Sequence, residues 1–397
     1  MKFLIINTDY PDFLRWLYAQ HPGLENRSYK EQLDARTESL FGVADFYSTN
    51  LIQLGHEAKE LYANNECMQK AWAREHRMTV YEPSPAVREV VSLMRRVPAL
   101  ATSSPIRWLK SCARPLLQSH LQHGEDWFYD VLSAQIRQYK PDVLLNQDLV
   151  GIGTRFLKEI KPHVRLLVGQ IASPLPKGED LSVYDLVISS LPNLVAYFRR
   201  NGLLSELNRL AFEPRILGRL SEKGRNVNLY PVSFVGSLSR DHTDRLKLLE
   251  SLCRQVDMAV WGGGVSTVPA GSPIHHRHMG EAWGCQMYNI LHHSRMTINH
   301  HIDLAETHAN NMRLFESTGT GTLLITDWKD DLHRIFEPNK EVVTYRTPEE
   351  CVEKVQYYLT HEAERQTIAS AGQARTLLDH TYQHRLQEFV GLVCRYI

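Results

Sequence analysis

Cysteine is scarce in this sequence and unpatterned: the six residues, at 67, 112, 253, 285, 351 and 394, contain no C-x-x-C pair. That spacing implies no zinc site and no paired redox thiols, and it suits reduced cysteines in a cytosolic protein. An excess of charge of either sign is also missing. Forty-five Lys and Arg face forty-five Asp and Glu, a formal net charge of zero, which argues against a chain-wide nucleic-acid footprint and leaves room only for a local basic patch. Long apolar runs are absent too. After Met1 and Lys2 only Phe3 to Ile6 are continuously apolar, and no run approaches the roughly 18 residues of a membrane span. A cytoplasmic protein, at most resting on a membrane, is expected. Metal-ligand spacing is the last absence. Eight of the nineteen histidines crowd between His275 and His308, yet there is no H-E-x-x-H and no H-x-H with a carboxylate at fixed offset.

What is present is ordinary globular composition, 43% hydrophobic and 23% charged, over 397 residues. That length suggests two domains. Residues 2 to 7, KFLIIN, read as a buried parallel strand opening at Thr8 and Asp9, and ligands of open α/β sheets bind at such strand ends. Asp9 or Asp12 is a candidate for an acceptor hydroxyl, with a turn-capping Asp as the alternative. Helical spacing between Ser28 and Leu54 ends at Gly55, and HEAKELY (His56 to Tyr62), helical by composition, resembles the entry to a second strand. Residues 63 to 125 look like an insertion. Between 84 and 114 it carries six Arg or Lys against Glu89 alone, with Trp108 interleaved: either a solvated face or a peripheral contact with anionic lipid or an acidic acceptor.

From Trp127 onward helices and strands alternate, with strands at Val143 to Leu145, Arg165 to Gln170 and Leu186 to Ser189, and helices at Thr154 to Ile160 and Leu191 to Arg200. Such alternation means a doubly wound parallel sheet. Asp148, just past a strand end, is the first candidate for a polar catalytic group. Residues 203 to 228 are basic and turn-rich and read as a linker. A second alternation follows, with strands at Tyr230 to Val235, Met258 to Trp261 and Thr297 to Asn299 and a glycine turn at Gly262 to Gly264. Thr347, Pro348 and Glu350 form a capping box with Pro at its first helical position, and Leu386, Phe389, Val390 and Val393 mark a terminal helix.

The stretch NNMRLFESTGTGTLLITD (Asn310 to Asp327) organises this second half. Two asparagines offer cap oxygens, an apolar face follows, Gly319 and Gly321 stop the helix, and Leu323 to Ile325 read as a buried strand. A helix N-terminus of this kind suits a diphosphate, because its first N–H groups lack partners and the macrodipole is positive there. Glu316, one and a half turns in, is a candidate acceptor for both ribose hydroxyls as a half-exposed cleft carboxylate; the alternatives are a solvated residue of a plain αβ unit and an internal helix brace.

The sequel to this stretch, with FEPNKEVVTY (Phe336 to Tyr345), PEE (Pro348 to Glu350), YYL (Tyr357 to Leu359), IASAGQART (Ile368 to Thr376) and HTYQHR (His380 to Arg385), resembles the C-terminal half of the CgeB-like, spore-maturation-type glycosyltransferases. These are relatives of glycosyltransferase families 1 and 4. The resemblance implies a GT-B fold: an acceptor-side Rossmann-like domain over 1–220, a nucleotide-sugar-binding domain over 221–378 and a terminal helix, 379–397, crossing back. It places Gly236, Ser237 and Arg240 at the phosphates, with a surface salt bridge as the competing role for Arg240. It adds Asn311, Met312, Arg313 and Glu316 to the donor site. His308 stands where many family 4 relatives have a Glu, which bears on retention or inversion. The expected function is metal-independent transfer of a sugar from a nucleotide diphosphate donor to a hydroxyl or amide of a glycan, protein or lipid-linked acceptor, with no cofactor beyond that co-substrate. A sugar-nucleotide epimerase, or a non-catalytic nucleotide-sugar-binding or assembly protein, is the alternative.

Overall fold

Strand β1 (Lys2–Asn7) is apolar throughout because both of its faces are covered: Leu4 and Ile6 enter one hydrophobic cluster, Phe3 and Ile5 another. The computed structural model describes residues 1–80, 127–176, 178, 180–221, 229–239 and 243–397, so the basic stretch 84–114 and Arg240 lie outside the described residues. β1 pairs in parallel with β2 (Glu57–Tyr62) and β3 (Val143–Asn146), with Phe3 beside both Ala58 and Val143. β4 (Leu166–Gln170), β5 (Leu186–Ser189) and β6 (Ser205–Leu207) complete a six-stranded sheet of order β2-β1-β3-β4-β5-β6. The helical composition of HEAKELY is overridden at this sheet edge. Glu57 and Lys59 face water, while Leu61 and Tyr62 are buried.

The second sheet has the order β11-β10-β9-β7-β8, again with every pairing parallel. Its strands are β7 (Tyr230–Val235), β8 (Met258–Trp261), β9 (Ser294–Asn299), β10 (Leu323–Asp327) and β11 (Val343–Tyr345). Thr347 caps the helix Pro348–Thr360 by accepting from Glu350 N–H at 3.2 Å. No described helix is long and apolar enough to cross a membrane.

The stretch read as a linker holds more structure than its composition suggested. Ser205–Leu207 adds an edge strand, and Arg215–Ser221 is a helix following Pro214, with Ile216 and Leu220 buried. A short strand and a one-sided helix leave weak periodicity; Ser205–Leu207 is held by pairing with β5, and Arg215–Ser221 by burying Ile216 and Leu220 in the core cluster. Phe212 is the wedge of this junction. Its backbone exchanges hydrogen bonds with His380 and Tyr382, and its ring sits where a Cβ on Gly319 would fall, within 2.6 Å. The final helix, Tyr382–Val393, crosses onto the first domain, where Tyr382 packs on Phe46 at 5.1 Å and Phe389 on Phe3 at 6.2 Å.

Candidate functional site

The helix Met312–Gly319 begins beside the C-terminal end of β9 because Asn311 fixes it from two sides. The Asn311 side-chain oxygen accepts from Leu314 N–H at 3.2 Å, and its amide donates to Asn299 Oδ1 at 2.7 Å. Asn299 in turn donates to Thr326 Oγ1, so β9, β10 and the helix start are tied in one chain of hydrogen bonds. The first N–H groups of the helix, at half-buried Met312 and Arg313, have no intrahelical carbonyl to bond. They form the positive end of the helix.

Arg313 and Glu316 are one helical turn apart and bonded to each other at 2.7 Å. Arg313 also donates to the Val235 carbonyl at 2.9 Å, and Tyr288 O–H reaches Glu316 at 3.4 Å. The expectation of a half-exposed Glu316 is therefore corrected: the residue is 5% exposed, and both of its oxygens are engaged within the protein. Its carboxylate braces Arg313, which spans from the helix to the end of β7. Glu316→Gln should consequently cost about 2 kcal/mol of stability, because it leaves a largely buried guanidinium short of its counter-charge. A urea midpoint measures that loss. Nucleoside diphosphate affinity of the folded fraction should change less than about threefold; a large drop would return Glu316 to the ribose.

Facing the helix start is the loop after β7. Half-buried Gly236 and exposed Ser237 lie on it, and the glycine turn after β8 presses against it. A Cβ on Gly262 would fall 1.7 Å from the Gly236 carbonyl oxygen, and Gly262 and Gly264 have φ of 155° and 91°. Those glycines are thus required by the contact of two backbones. Arg245 tethers the same loop, donating to the carbonyls of Ser237 at 3.2 Å and His300 at 2.9 Å. It is 8% exposed, and its Nε has no partner among the described residues. Burial presses its pKa down, while Asp327 opposes that. Sequence reasoning chose Arg240 and missed Arg245. The signal was there, since Arg245 shares the helical face of Leu248, Leu249 and Leu252, and a charge on a buried face is unusual.

The two candidate catalytic carboxylates behave differently. Asp9 is not free to act on an acceptor: it is buried, and Arg36 holds it through Nε at 3.0 Å and Nη2 at 2.6 Å. Asp148 is half-buried at the end of β3, accepting from Thr8 Oγ1 at 2.7 Å and from the Val150 and Gly151 N–H groups. His308 bonds Asp331 at 2.9 Å and stands in the loop leading to the helix. Its neighbours in the histidine-rich segment brace loops as well: His278 bonds the Gly262 carbonyl, His292 the Thr320 carbonyl and His301 the Asp327 carboxylate.

The two domains meet across this edge. Cys285 N–H donates to the Ser39 carbonyl at 2.8 Å, and Trp283 packs on Phe41 at 5.0 Å. Asn193 of the first domain donates to the Leu304 carbonyl at 2.9 Å, and Ala305 is buried in the first domain's core.

Residues 243–391 match a family model described as glycosyl transferase-like. No curated protein matches the chain. Among solved structures, it resembles a sucrose-phosphate synthase from Thermosynechococcus elongatus (TM-score 0.57, 11% identity, covering 100% of this chain and 98% of that one). It also resembles HepE of Anabaena in complex with UDP-glucose (TM-score 0.56, 11% identity, 100% of both chains). A glycosyltransferase from Rickettsia africae aligns at a TM-score of 0.52 and 10% identity, over 100% of this chain and 98% of that one. Two Rossmann-like parallel-sheet domains facing each other across a cleft constitute the GT-B fold.

Proposed function

We propose that the protein is a CgeB-like glycosyltransferase that moves a sugar from a nucleotide diphosphate donor to an acceptor hydroxyl or amide without a metal ion. The observation that carries this reading is the convergence, at one strand edge, of an Asn-capped helix N-terminus, a loop with exposed Ser237 and the buried Arg245 guanidinium. Charge develops on the leaving diphosphate as the sugar–phosphate bond breaks, and fixed N–H dipoles with a desolvated cation stabilise it without reorganising. The glycosyl transferase-like match over the same half of the chain supports the assignment. Asn311, Met312, Arg313 and Ser237 line the donor side of the proposed site, with Arg245 beneath them. Asp148 is the carboxylate we assign to the acceptor, since the other candidate is locked by Arg36.

The test is a thermal-shift panel of UDP, GDP, dTDP, ADP and CMP, followed by incubation with the matching nucleotide sugar. A ligand at about 100 times its dissociation constant adds roughly 2.7 kcal/mol of stability. One diphosphate is expected to stabilise the protein, and nucleoside diphosphate is expected to be released from the sugar nucleotide in the presence of EDTA. Epimerised sugar without release, or binding without either, would replace the transferase by an epimerase or a ligand sensor. Loss of turnover with EDTA, restored by manganese, would overturn metal independence.

A further inference from the structure

A cavity of about 370 Å³ opens at the C-terminal ends of β9, β10 and β11, lined by His300, His301, Asp303, Glu306, Asp327 and Trp328 among others. Its wall is continuous with the proposed diphosphate site. Asn299, which receives the Asn311 amide, directly precedes His300, and the His300 carbonyl takes one of the two Arg245 bonds whose other end holds Ser237. The helix-start cap and the cavity wall are thus joined through Asn299 and His300, adjacent residues at the end of β9.

The lining is acidic on balance, with Asp244, Asp303, Glu306 and Asp327 against Lys329 and Arg346. Asp303 and Glu306 are exposed and form no ion pair with a side chain among the described residues. Asp327 is 8% exposed and accepts from His301 at 2.7 Å. Burial works against ionisation of Asp327, but the bond from His301 and the positive fields of His300 and Lys329 hold its carboxyl well below the ordinary range. His301 is 2% exposed, and its Nε2 has no partner among the described residues, a buried polar atom short of one hydrogen bond. Lys329 is occupied by the Glu306 carbonyl and Asp327, and the Arg346 guanidinium lies over the Trp328 ring at 4.4 Å. Carboxylates that accept hydroxyl or ammonium protons, beside aromatic rings, make a site for a polyhydroxy ring and repel an anionic one.

We propose that this cavity receives the sugar ring of the donor and selects a neutral or amine-bearing hexose over a uronic acid. The assignment rests on the transferase reading, and its test separates the two. Wild type and the double variant Asp303→Asn/Glu306→Gln, both changes at exposed side chains, are titrated with the nucleoside diphosphate selected by the thermal-shift panel, with its glucose conjugate and with its glucuronate conjugate. The free diphosphate is expected to bind both proteins equally, within about twofold. The glucose conjugate should weaken about tenfold in the variant. The glucuronate conjugate should bind wild type at least about tenfold more weakly than the glucose conjugate, and the variant should narrow that gap. An equal loss for diphosphate and glucose conjugate, an unchanged glucose conjugate, or a wild type indifferent to the carboxylate would overturn the cavity assignment while the donor site stands. Failure of every diphosphate to bind would overturn the transferase reading and, with it, this use of the cavity.

Discussion

Asp9→Asn is expected to destabilise the protein by about 3–5 kcal/mol, the range for breaking a buried ion pair from one side. The partners are Asp9 and Arg36, with side chains only 2% and 3% exposed. Arg36 donates to both Asp9 oxygens and to the Phe41 carbonyl, and its guanidinium lies over the rings of Tyr62 at 4.1 Å and Phe13 at 5.0 Å. An asparagine keeps one acceptor but removes the charge, so the guanidinium stays desolvated without a counter-ion. Apolar replacement of both partners, Asp9→Leu with Arg36→Met, should recover a large part of the loss, because no charge is then stranded. Chemical denaturation of the three proteins measures this. A stable Asp9→Asn protein with turnover abolished would instead make Asp9 a catalytic base, as its place after β1 first suggested.

Stability is also expected to fall by on the order of 2 kcal/mol as pH rises from 6.5 to 8, and Glu60→Gln should remove that slope. Glu60 sits in β2, 6% exposed, bonded by Asn7, by the Ser48 backbone and hydroxyl, and by Tyr62. Burial pushes its carboxyl from the ordinary 4.5 up to about 8, with the Asp45 charge adding to the rise while Ser48 and Arg36 oppose it. The folded state therefore keeps a proton that the unfolded chain releases, so the contribution of Glu60 is complete below about pH 4.5 and is lost as pH rises through about 8. His380 acts in the opposite sense at lower pH. Burial depresses it from 6.5 to about 4, so its contribution is lost as pH falls through about 4 and is fully present above 6.5. His56 and His300 are depressed by burial in the same sense as His380, so the histidines change mainly below 6.5, and the value of Glu60 falls at the upper end of the window. Urea midpoints of wild type and Glu60→Gln at the two ends of that window should diverge; parallel shifts would place the titration elsewhere.

Much of the architecture follows from short-range pattern alone. KFLIIN, VLLN and LLITD are runs that only a strand covered on both faces accommodates, and the glycines at 55, 202 and 321 stand where the chain turns with positive φ. Asn311 and Thr347 are caps by residue type and position, and both cap in the structure. These features are local: a period of two or 3.6 residues and a cap oxygen act within one turn or one strand, so the sequence contains the whole cause.

The site was legible only in its backbone. The helix start at Asn311 was readable, but the state of each charge near it was not. Arg313 and Glu316 are three residues apart, a spacing that serves equally for a solvated surface pair; burial under Tyr288 and the end of β7 makes it a brace. Asp9 and Arg36 are 27 positions apart, and Arg245 meets His300 across 55. Such pairings are set by which loops two sheets bring to one edge. Whether a carboxylate acts as acid, base, brace or lining depends on the solvent and partners that remain to it there. Residue types and the 3.6 and 2.0 periodicities determined most of the strands and helices and their alternation in two runs; packing decided the strand order, the edge strands Glu57–Tyr62 and Ser205–Leu207, and which charged groups were left open to a ligand, because desolvation is a property of the assembled surface and of no segment by itself.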